Sequence, residues 1–452
     1  MVSDAQAATG ELFDNKTLAK LMIPLIIEQF LAVFMGIMNT IMVSNSGEAA
    51  VSGISLVDSV NVLLIQVFAA LATGGAIVSA QYIGKKDYKN ASVAAKQLLY
   101  SVLSLALLFM LTALVFNQAI ISAVFGNIET DVMQNAKIYF YLSAVSYPFL
   151  ALFNSSAALF RIMNNSRVSM LASIIMNVIN FLLNLILIYG MGWGVAGAGT
   201  STLVARVVGA VIMLRLVHRG TDMINIDRMF KPEFKLDMIK RIMKIGIPSG
   251  LENGMFQLGR LMVARLVSTF GTTAIAANAI VFNAGNFANM PGAAMGIGMI
   301  TVVGQTMGAG DHEGAKRYIQ KIMSWTRILN AAICMLILIF NHQFIGFYNL
   351  NAEGAEMARQ IMIMYCIVAT VFWSDSFTRA NALRAAGDVK FTMTVSMLSM
   401  WIFRIGLSYA FNSFFGWKLY GVWYAMYIDW VVRAIAFHIR FKRGKWKEAK
   451  VI

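Results

Sequence analysis

The sequence predicts an all-α polytopic membrane protein, with twelve transmembrane helices in two pseudo-symmetric six-helix bundles. Three observations predict this class: the composition, the number of long apolar runs and an internal repeat. Hydrophobic residues make up 58% of the 452 positions and charged residues only 13%, which leaves too few polar residues for a soluble surface. Helices are favoured because lipid offers no partner for an unpaired backbone group.

Twelve apolar runs are each long enough to cross a hydrocarbon core of about 30 Å. The predicted spans are residues 20–43, 54–83, 92–117, 133–160, 168–190, 194–217, 243–269, 273–306, 317–341, 356–383, 389–411 and 418–440.

Basic residues are concentrated in alternate connections between these spans. They occur at residues 84–91, 161–167, 218–242, 307–316 and 384–390, and again in the tail. The intervening connections, 44–53, 191–193, 270–272 and 412–417, contain no Lys or Arg. This asymmetry predicts a plasma-membrane protein with both termini in the cytoplasm. It also accounts for the net charge of +15 without a nucleic-acid partner, so the bilayer is the expected surroundings.

The chain contains an internal repeat with an offset of 224 positions. Under this shift Pro24 aligns with Pro248, and Glu28 aligns with Glu252. Each half begins on the cytoplasmic side, so the two copies have one orientation, an arrangement known among secondary transporters. The predicted domains are an N-lobe with helices 1–6 (residues 1–217), a cytoplasmic linker (218–242), and a C-lobe with helices 7–12 and a basic tail (243–452). The linker is either an amphipathic surface segment or a solvated loop.

Four acidic residues within the spans are predicted to couple transport to a cation, a proton or both: Glu252, Asp375, Glu28 and Asp58. A charged group at membrane depth costs about 2.5–3.5 kcal/mol, so each one needs a reason. Glu28 and Glu252 each follow a lysine by eight residues, or roughly 12 Å, which predicts a position near the bilayer midplane. Sodium bound at these acids is the only metal expected.

Structural explanations compete with these roles. Asp375 has Arg379 one turn later and could form a local ion pair, and for Asp429 the same pairing with Arg433 is the preferred interpretation. Asp58 could instead stabilise the N-terminal end of its helix.

Glu28 and Glu252 have no basic residue three or four positions away, so a local pair does not explain them. A partner on another helix stays open, since Arg206, Arg260 and Arg404 also lie within spans. Without a partner, a buried carboxylate could bind a proton near neutral pH.

Aromatic and methionine side chains lie on the helices that carry the acids or adjoin them. Phe256, Phe282, Phe287, Met290 and Trp373 are predicted to form an adaptable cavity for lipophilic cations. Most Met and Phe residues of such a chain are core or lipid-facing, which is the simpler explanation.

Four short motifs stand out along the chain: Asn39-Thr40-Ile41-Met42-Val43, Gln81-Tyr82-Ile83-Gly84, Gln305-Thr306-Met307-Gly308 and Leu383-Arg384-Ala385-Ala386-Gly387-Asp388. Together they resemble motifs of the MATE (multidrug and toxic compound extrusion) transporters. The resemblance covers essentially the whole chain. It implies two six-helix lobes, alternating access, and export of organic cations in exchange for Na⁺ or H⁺, with no other cofactor.

The sequence departs from many members of that family in the N-lobe. Asn39 and Asn184 stand where those members have Asp, and the stretch from Asn177 through Asn180 to Asn184 resembles the family's fifth helix. These four amides form a predicted N-lobe polar site. An amide oxygen can bind sodium, but the amide cannot take up a proton, so a protonation switch at these positions is not expected.

In the C-lobe the family's acids fall close to acids of this chain. Asp375 lies near the tenth-helix acid, and the seventh-helix acid falls around Phe256-Gln257, about one turn beyond Glu252. The resemblance therefore favours ion coupling in the C-lobe. Gln257 is also predicted to line the substrate cavity.

The leading hypothesis is therefore a monomeric multidrug efflux antiporter for small lipophilic or cationic compounds. A flippase of lipid-linked saccharides from a related two-lobed superfamily is the alternative, although it needs a strongly cationic cavity. An intramembrane enzyme is the alternative from another class, but no metal motif and no clustered His, Cys or Ser supports it.

Overall fold

The computed structural model describes residues 12–44, 46–126, 128–226, 231, 233–348 and 350–452. Within them the chain is helical and contains no strand. The long helices are α1 (Asn15–Ser44), α2 (Glu48–Gly84), α3 (Tyr88–Val115), α5 (Thr130–Ile162), α6 (Ser166–Gly190), α7 (Gly194–His218), α8 (Leu236–Ser268), α9 (Thr272–Gly308), α10 (His312–Ile339), α12 (Ala352–Ala386), α13 (Val389–Phe415) and α14 (Lys418–Lys442). Two short helices, α4 (Asn117–Phe125) and α11 (Asn341–Gly346), complete the series.

The twelve long helices confirm the predicted spans. The largest difference is at the start of α8, where the helix begins at Leu236 rather than at residue 243. Ten of the twelve, among the described residues, are long and apolar enough by composition to cross a membrane. The other two, α8 and α14, are less apolar, because charged residues such as Glu252 and Arg260 in α8 and Asp429 and Arg433 in α14 lie within them.

The internal repeat extends to details of backbone geometry. The short helices α4 and α11 begin 224 positions apart, each directly after a long helix. Gly47 and Gly271, which precede α2 and α9, have φ angles of 96° and 94°. These angles lie in a region that only glycine adopts without strain. The repeat is thus a duplicated structure and not only a duplicated hydropathy pattern.

The described chain forms two compact units. One unit is Ala19–Gly250, and the other is Leu251–Val451 together with residues 12–18. In the first unit, Gly74 of α2 packs directly on α8, where an added Cβ would come within 2.8 Å of the Ile242 carbonyl oxygen. Small residues allow such close approach of helix backbones in lipid, where burial of apolar surface gives little driving force.

Three long helices contain π-helical segments. They are Leu185–Gly190 in α6, Ala369–Thr378 in α12 and Ser399–Gly406 in α13. Asp375 and Arg404 lie within the second and third of these segments. π-Helical segments are frequently found at functional sites, so Asp375, Arg404 and their neighbours are candidates for such a site.

The segment between α7 and α8 is not helical where the structure describes it. It is tied to α3 by the Gln97 side chain, whose Nε2 donates to the Glu233 carbonyl oxygen at 2.6 Å, while its Oε1 accepts from the Lys235 amide at 3.1 Å. The proposed amphipathic stretch includes Met229 and Phe230, which lie outside the described residues.

Candidate functional site

Glu28 and Glu252 each form an ion pair with an arginine on another helix. Arg161 Nη2 lies 2.5 Å from Glu28 Oε1, and Arg384 Nη2 lies 2.5 Å from Glu252 Oε1. Both carboxylates are buried, with 8% and 7% of their residue surface exposed. The two pairs occupy equivalent places in the two halves of the repeat.

The sequence left open a partner on another helix for Glu28 and for Glu252, and the structure supplies one for each acid. Both arginines lie in the last turns of long helices, next to connections that carry basic residues. A residue three or four positions away lies on the same helix, so that spacing could not identify partners more than 130 positions away in the sequence. The signal was present in the repeat, because Arg161 and Arg384 align when the offset shortens by one residue.

Asp375 is paired with two arginines. Arg379, one turn later, contacts its Oδ1, as the structural interpretation anticipated, and Arg327 Nη2 of α10 lies 2.7 Å from its Oδ2. The Arg327 side chain is 44% exposed, and it borders a cavity of about 470 Å³ that Asp375 and His438 also line. Asp375 is therefore neutralised locally while it stays close to open space.

Asp429 is fully buried between two arginines. Arg433 Nε lies 2.8 Å from its Oδ1, and Arg404 Nη2 of α13 lies 2.9 Å from its Oδ2. The predicted structural pairing with Arg433 is confirmed. Arg404 is a partner that the sequence did not assign.

Asp58 differs from the other four acids. Its carboxylate accepts hydrogen bonds from Asn61 Nδ2, at 3.2 Å, and from the Tyr139 hydroxyl, and no arginine forms a salt bridge with it within the described chain. It lines a cavity of about 150 Å³ inside the N-terminal unit. Arg206 is near enough to attract the carboxylate, but its Nη1 donates to Ser146 Oγ at 2.6 Å.

Two of the four predicted amides, Asn39 and Asn184, line the same cavity, and a third, Asn180, is hydrogen-bonded to Asn184. Asn184 Nδ2 donates to Asn39 Oδ1 at 3.0 Å and to Asn180 Oδ1 at 3.3 Å, and Asn180 Nδ2 donates to Thr202 Oγ1 at 3.3 Å. Asn39, Asn184 and Thr202 line the cavity with Asp58. The buried Asn184 Oδ1 has no hydrogen-bond partner among the residues described. Asn177 is half-buried on the same helix but does not line the cavity.

Sequence reasoning missed the hydroxyl groups of this cavity. Tyr139 and Thr202 complete the lining, and Tyr147 donates from its hydroxyl to Asn61 Oδ1 at 2.7 Å. Tyr and Thr are common in apolar helices, so neither residue was recognisable before α2, α5, α6 and α7 were brought together. Asn61 Nδ2, which donates to Asp58, also donates to Ser143 Oγ at 3.3 Å.

The predicted aromatic cavity residues separate into different environments in the C-terminal unit. Trp373 stacks on Phe377 with ring centroids 5.1 Å apart, and Phe256 meets Phe377 edge-on at 6.4 Å. Phe282 lies apart from this cluster and carries the Arg260 guanidinium over its ring at 4.6 Å. The remaining predicted residues, Gln257, Phe287 and Met290, are half-buried on α8 and α9.

The N-terminal cavity has the composition of a site for a small hard cation. Carboxylate, amide and hydroxyl oxygens are the donors that such cations prefer, and Asn184 Oδ1 supplies one that no protein group uses. No group of three or more His, Cys, Asp or Glu side chains suited to a metal ion occurs in the part of the chain that is described. Duplicated helical membrane units of this kind are typical of secondary transporters.

Comparisons with known proteins identify the family. The MatE family model matches residues 24–186 and again 248–410, which are the two copies of the repeat. The chain therefore belongs to the MatE family. Members of this family are transporters that need no cofactor, which excludes the intramembrane enzyme.

Relatives of the chain match over nearly its whole length. The uncharacterized transporter YisQ of Bacillus subtilis is 27% identical, with 94% of this chain and 93% of the relative covered. The probable multidrug resistance protein NorM of Thermotoga maritima is 24% identical, with 97% and 94% covered.

Solved structures share the fold. An outward-facing multidrug resistance MATE family transporter of the MOP superfamily superimposes with a TM-score of 0.88 at 20% identity, with 95% of this chain and 96% of that chain covered. A MOP superfamily transporter from Pyrococcus furiosus, described by the reverse polarity of its binding pocket, gives 0.87 at 20% identity, with 96% and 97% covered. The predicted class, a multi-pass all-α protein with two lobes, is thereby confirmed.

Proposed function

We propose that this protein is a secondary active multidrug efflux antiporter that exports amphipathic organic compounds in exchange for Na⁺ or H⁺. The observation that carries the proposal is the Asp58 cavity, where one carboxylate without a salt bridge faces neutral oxygen donors in about 150 Å³. A carboxylate in such a place can hold either coupling ion, and alternating access then links its release to movement of the cargo.

The four predicted coupling acids are not equivalent in this proposal. Glu28, Glu252 and Asp375 each have an arginine at salt-bridge distance, so their negative charge is already balanced. Binding a cation there would first require breaking a buried pair, which is strongly unfavourable. Asp58 needs no such step, so we assign the coupling ion to Asp58 together with Asn39, Asn184 and Thr202.

The sequence predicted a cationic cargo because of the acids within the spans. Glu28, Glu252 and Asp375 are now seen to be paired with arginines, so they no longer argue for a positive charge on the cargo. Relatives named for multidrug resistance and multidrug export support a small-molecule cargo over lipid-linked saccharides. The proposal places the protein in the plasma membrane as a monomer with both termini in the cytoplasm, without a nucleic-acid partner.

The proposal is tested in proteoliposomes that contain the purified protein. Ethidium, a cationic dye, and fluorescein, an anionic dye, are loaded in parallel, and their movement is followed with a sodium gradient or a proton gradient imposed separately. We expect one of the two gradients to accelerate the movement of at least one dye over protein-free liposomes. Equal rates for both dyes with and without each gradient would contradict antiport.

A further inference from the structure

The C-terminal unit presents a second charged surface, which the coupling site does not use. We propose that Arg260, Phe282, Asn283 and Asn286, called here the Arg260 surface, bind the anionic group of an amphipathic organic cargo, a carboxylate or sulfonate on an aromatic body. The inference rests on the proposed efflux function and names the charge of the cargo.

Arg260 is a cation within a membrane-spanning helix. It lies eight residues before the end of α8 at Ser268, or about 12 Å along the helix axis. It is exposed, and no Asp or Glu of the described chain forms a salt bridge with it. An intramembrane arginine that faced hydrocarbon without a partner would be costly, so its exposed side is expected to face water or a ligand.

The surroundings of Arg260 carry an excess of positive charge. Arg404 is near enough to Arg260 for their charges to repel, and Arg404 shares the single carboxylate of Asp429 with Arg433. Arg404 and Arg433 therefore share one carboxylate, and Arg260 adds a third positive charge close to Arg404. The ring of Phe256 lies 5.1 Å from Arg404 and the ring of Phe282 lies 4.6 Å from Arg260. These rings attract the guanidinium groups, but they carry no negative charge and so do not neutralise the excess positive charge.

Helix α9 contributes polar groups beside this arginine. Phe282, Asn283 and Asn286 are all exposed, and their spacing places them on one face of the helix. Asn283 is eleven residues into α9, about 16 Å from its start, so two exposed amides lie at membrane depth. Amide groups exposed to lipid would lose their hydrogen bonds, which again indicates a water-filled or ligand-filled face.

The arrangement matches an anion with an aromatic body. The guanidinium fork of arginine binds carboxylate or sulfonate oxygens in a bidentate manner, and the Asn amides supply further donors. The exposed ring of Phe282, already oriented by Arg260, offers a face for the aromatic part of the cargo. A purely cationic cargo would meet repulsion here instead.

The test compares two dyes with related xanthene bodies and opposite charge. Binding of fluorescein, which carries a carboxylate, and of rhodamine 6G, a cation without a free carboxylate, is measured by fluorescence anisotropy on the purified full chain. The variants are Arg260→Gln and the matched control Arg265→Gln, which removes a charge from an exposed arginine five residues along the same helix and on a different face.

We expect Arg260→Gln to weaken fluorescein binding at least about tenfold, because a charge-assisted hydrogen bond is lost. Arg265→Gln should leave it within about twofold, and rhodamine 6G should bind Arg260→Gln no more weakly than the wild-type protein. Equal fluorescein affinity in Arg260→Gln and the wild type would overturn the proposal, as would preference of the wild type for rhodamine 6G. If ethidium efflux still responds to an ion gradient, the antiport proposal survives that failure.

Discussion

Glu28 and Arg161 form a buried ion pair that joins the first long helix of the chain to the fourth, with Oε1 and Nη2 2.5 Å apart. Ser169 Oγ donates to the second carboxylate oxygen at 3.1 Å, so the charge is held by partners on two helices. The equivalent pair, Glu252 and Arg384, has the same length in the other half. A duplicated pair of this kind indicates a structural strut common to both halves.

Removing one member of the strut should destabilise the protein. Glu28→Gln leaves Arg161, whose side chain is only 17% exposed, without its counter-charge, at an expected cost of about 3–5 kcal/mol. Thermal unfolding of the purified variant in detergent measures the loss. The double variant Glu28→Gln with Arg161→Gln should recover much of it, since no uncompensated charge then remains. Additive losses in the double variant would show that the two side chains are not coupled.

A second prediction concerns the packing of Trp373 on α9. Gly292 faces the Trp373 ring so closely that an added Cβ would collide with it. Gly292→Ala should therefore displace the indole and cost about 1–3 kcal/mol. The control is Gly254→Ala, a helical glycine with no atom within 4 Å of the added Cβ, which should be neutral or slightly stabilising. Unfolding temperature and tryptophan emission report both effects, and equal behaviour of the two variants would refute the close contact.

The third prediction tests the repeat at the level of the backbone. Gly47 and Gly271 have φ near 95° before α2 and α9, although both have open space around them. Replacing either with Ala should cost about 1–3 kcal/mol from backbone strain alone, by a similar amount in each half. Gly346→Ala, also in open space but at an ordinary φ, is the control measured in the same unfolding experiment. A harmless Gly47→Ala beside a damaging Gly271→Ala would show that the halves differ here.

The fold could be predicted almost completely from the sequence. Long apolar runs, alternating basic connections and the 224-position repeat are three separate patterns that extend along the whole chain. Because all three indicate the same arrangement, the sequence predicted all twelve long helices. The short helices α4 and α11 were missed because each is separated from the long helix before it by a single residue, Phe116 or Phe340. The break between α3 and α4 is a single residue, Phe116, that keeps the same hydrophobic character.

The site could be predicted only in part. The acid Asp58 was found because a charged group in apolar sequence needs an explanation, and the amides Asn39, Asn180 and Asn184 were found through the resemblance to a known family. The amides were predicted to form one site, but their grouping with Asp58 and Thr202 was not predicted, since Asp58 comes from α2, Asn184 from α6 and Thr202 from α7. For the same reason the arginine partners of Glu28 and Glu252 remained unassigned. The sequence weighted coupling toward the C-lobe, whereas our proposal assigns the coupling ion to the N-terminal cavity.

The most direct test of the account is the ion dependence of dye efflux by Asp58→Asn in proteoliposomes, with Asp222→Asn as the matched control. Asp222 is an exposed acid of the same unit, and its neutralisation should leave transport unchanged. We expect Asp58→Asn to fold and to bind dye, but to lose the acceleration that a sodium or proton gradient gives the wild-type protein. Wild-type acceleration in Asp58→Asn would contradict the assignment of the coupling ion to this cavity.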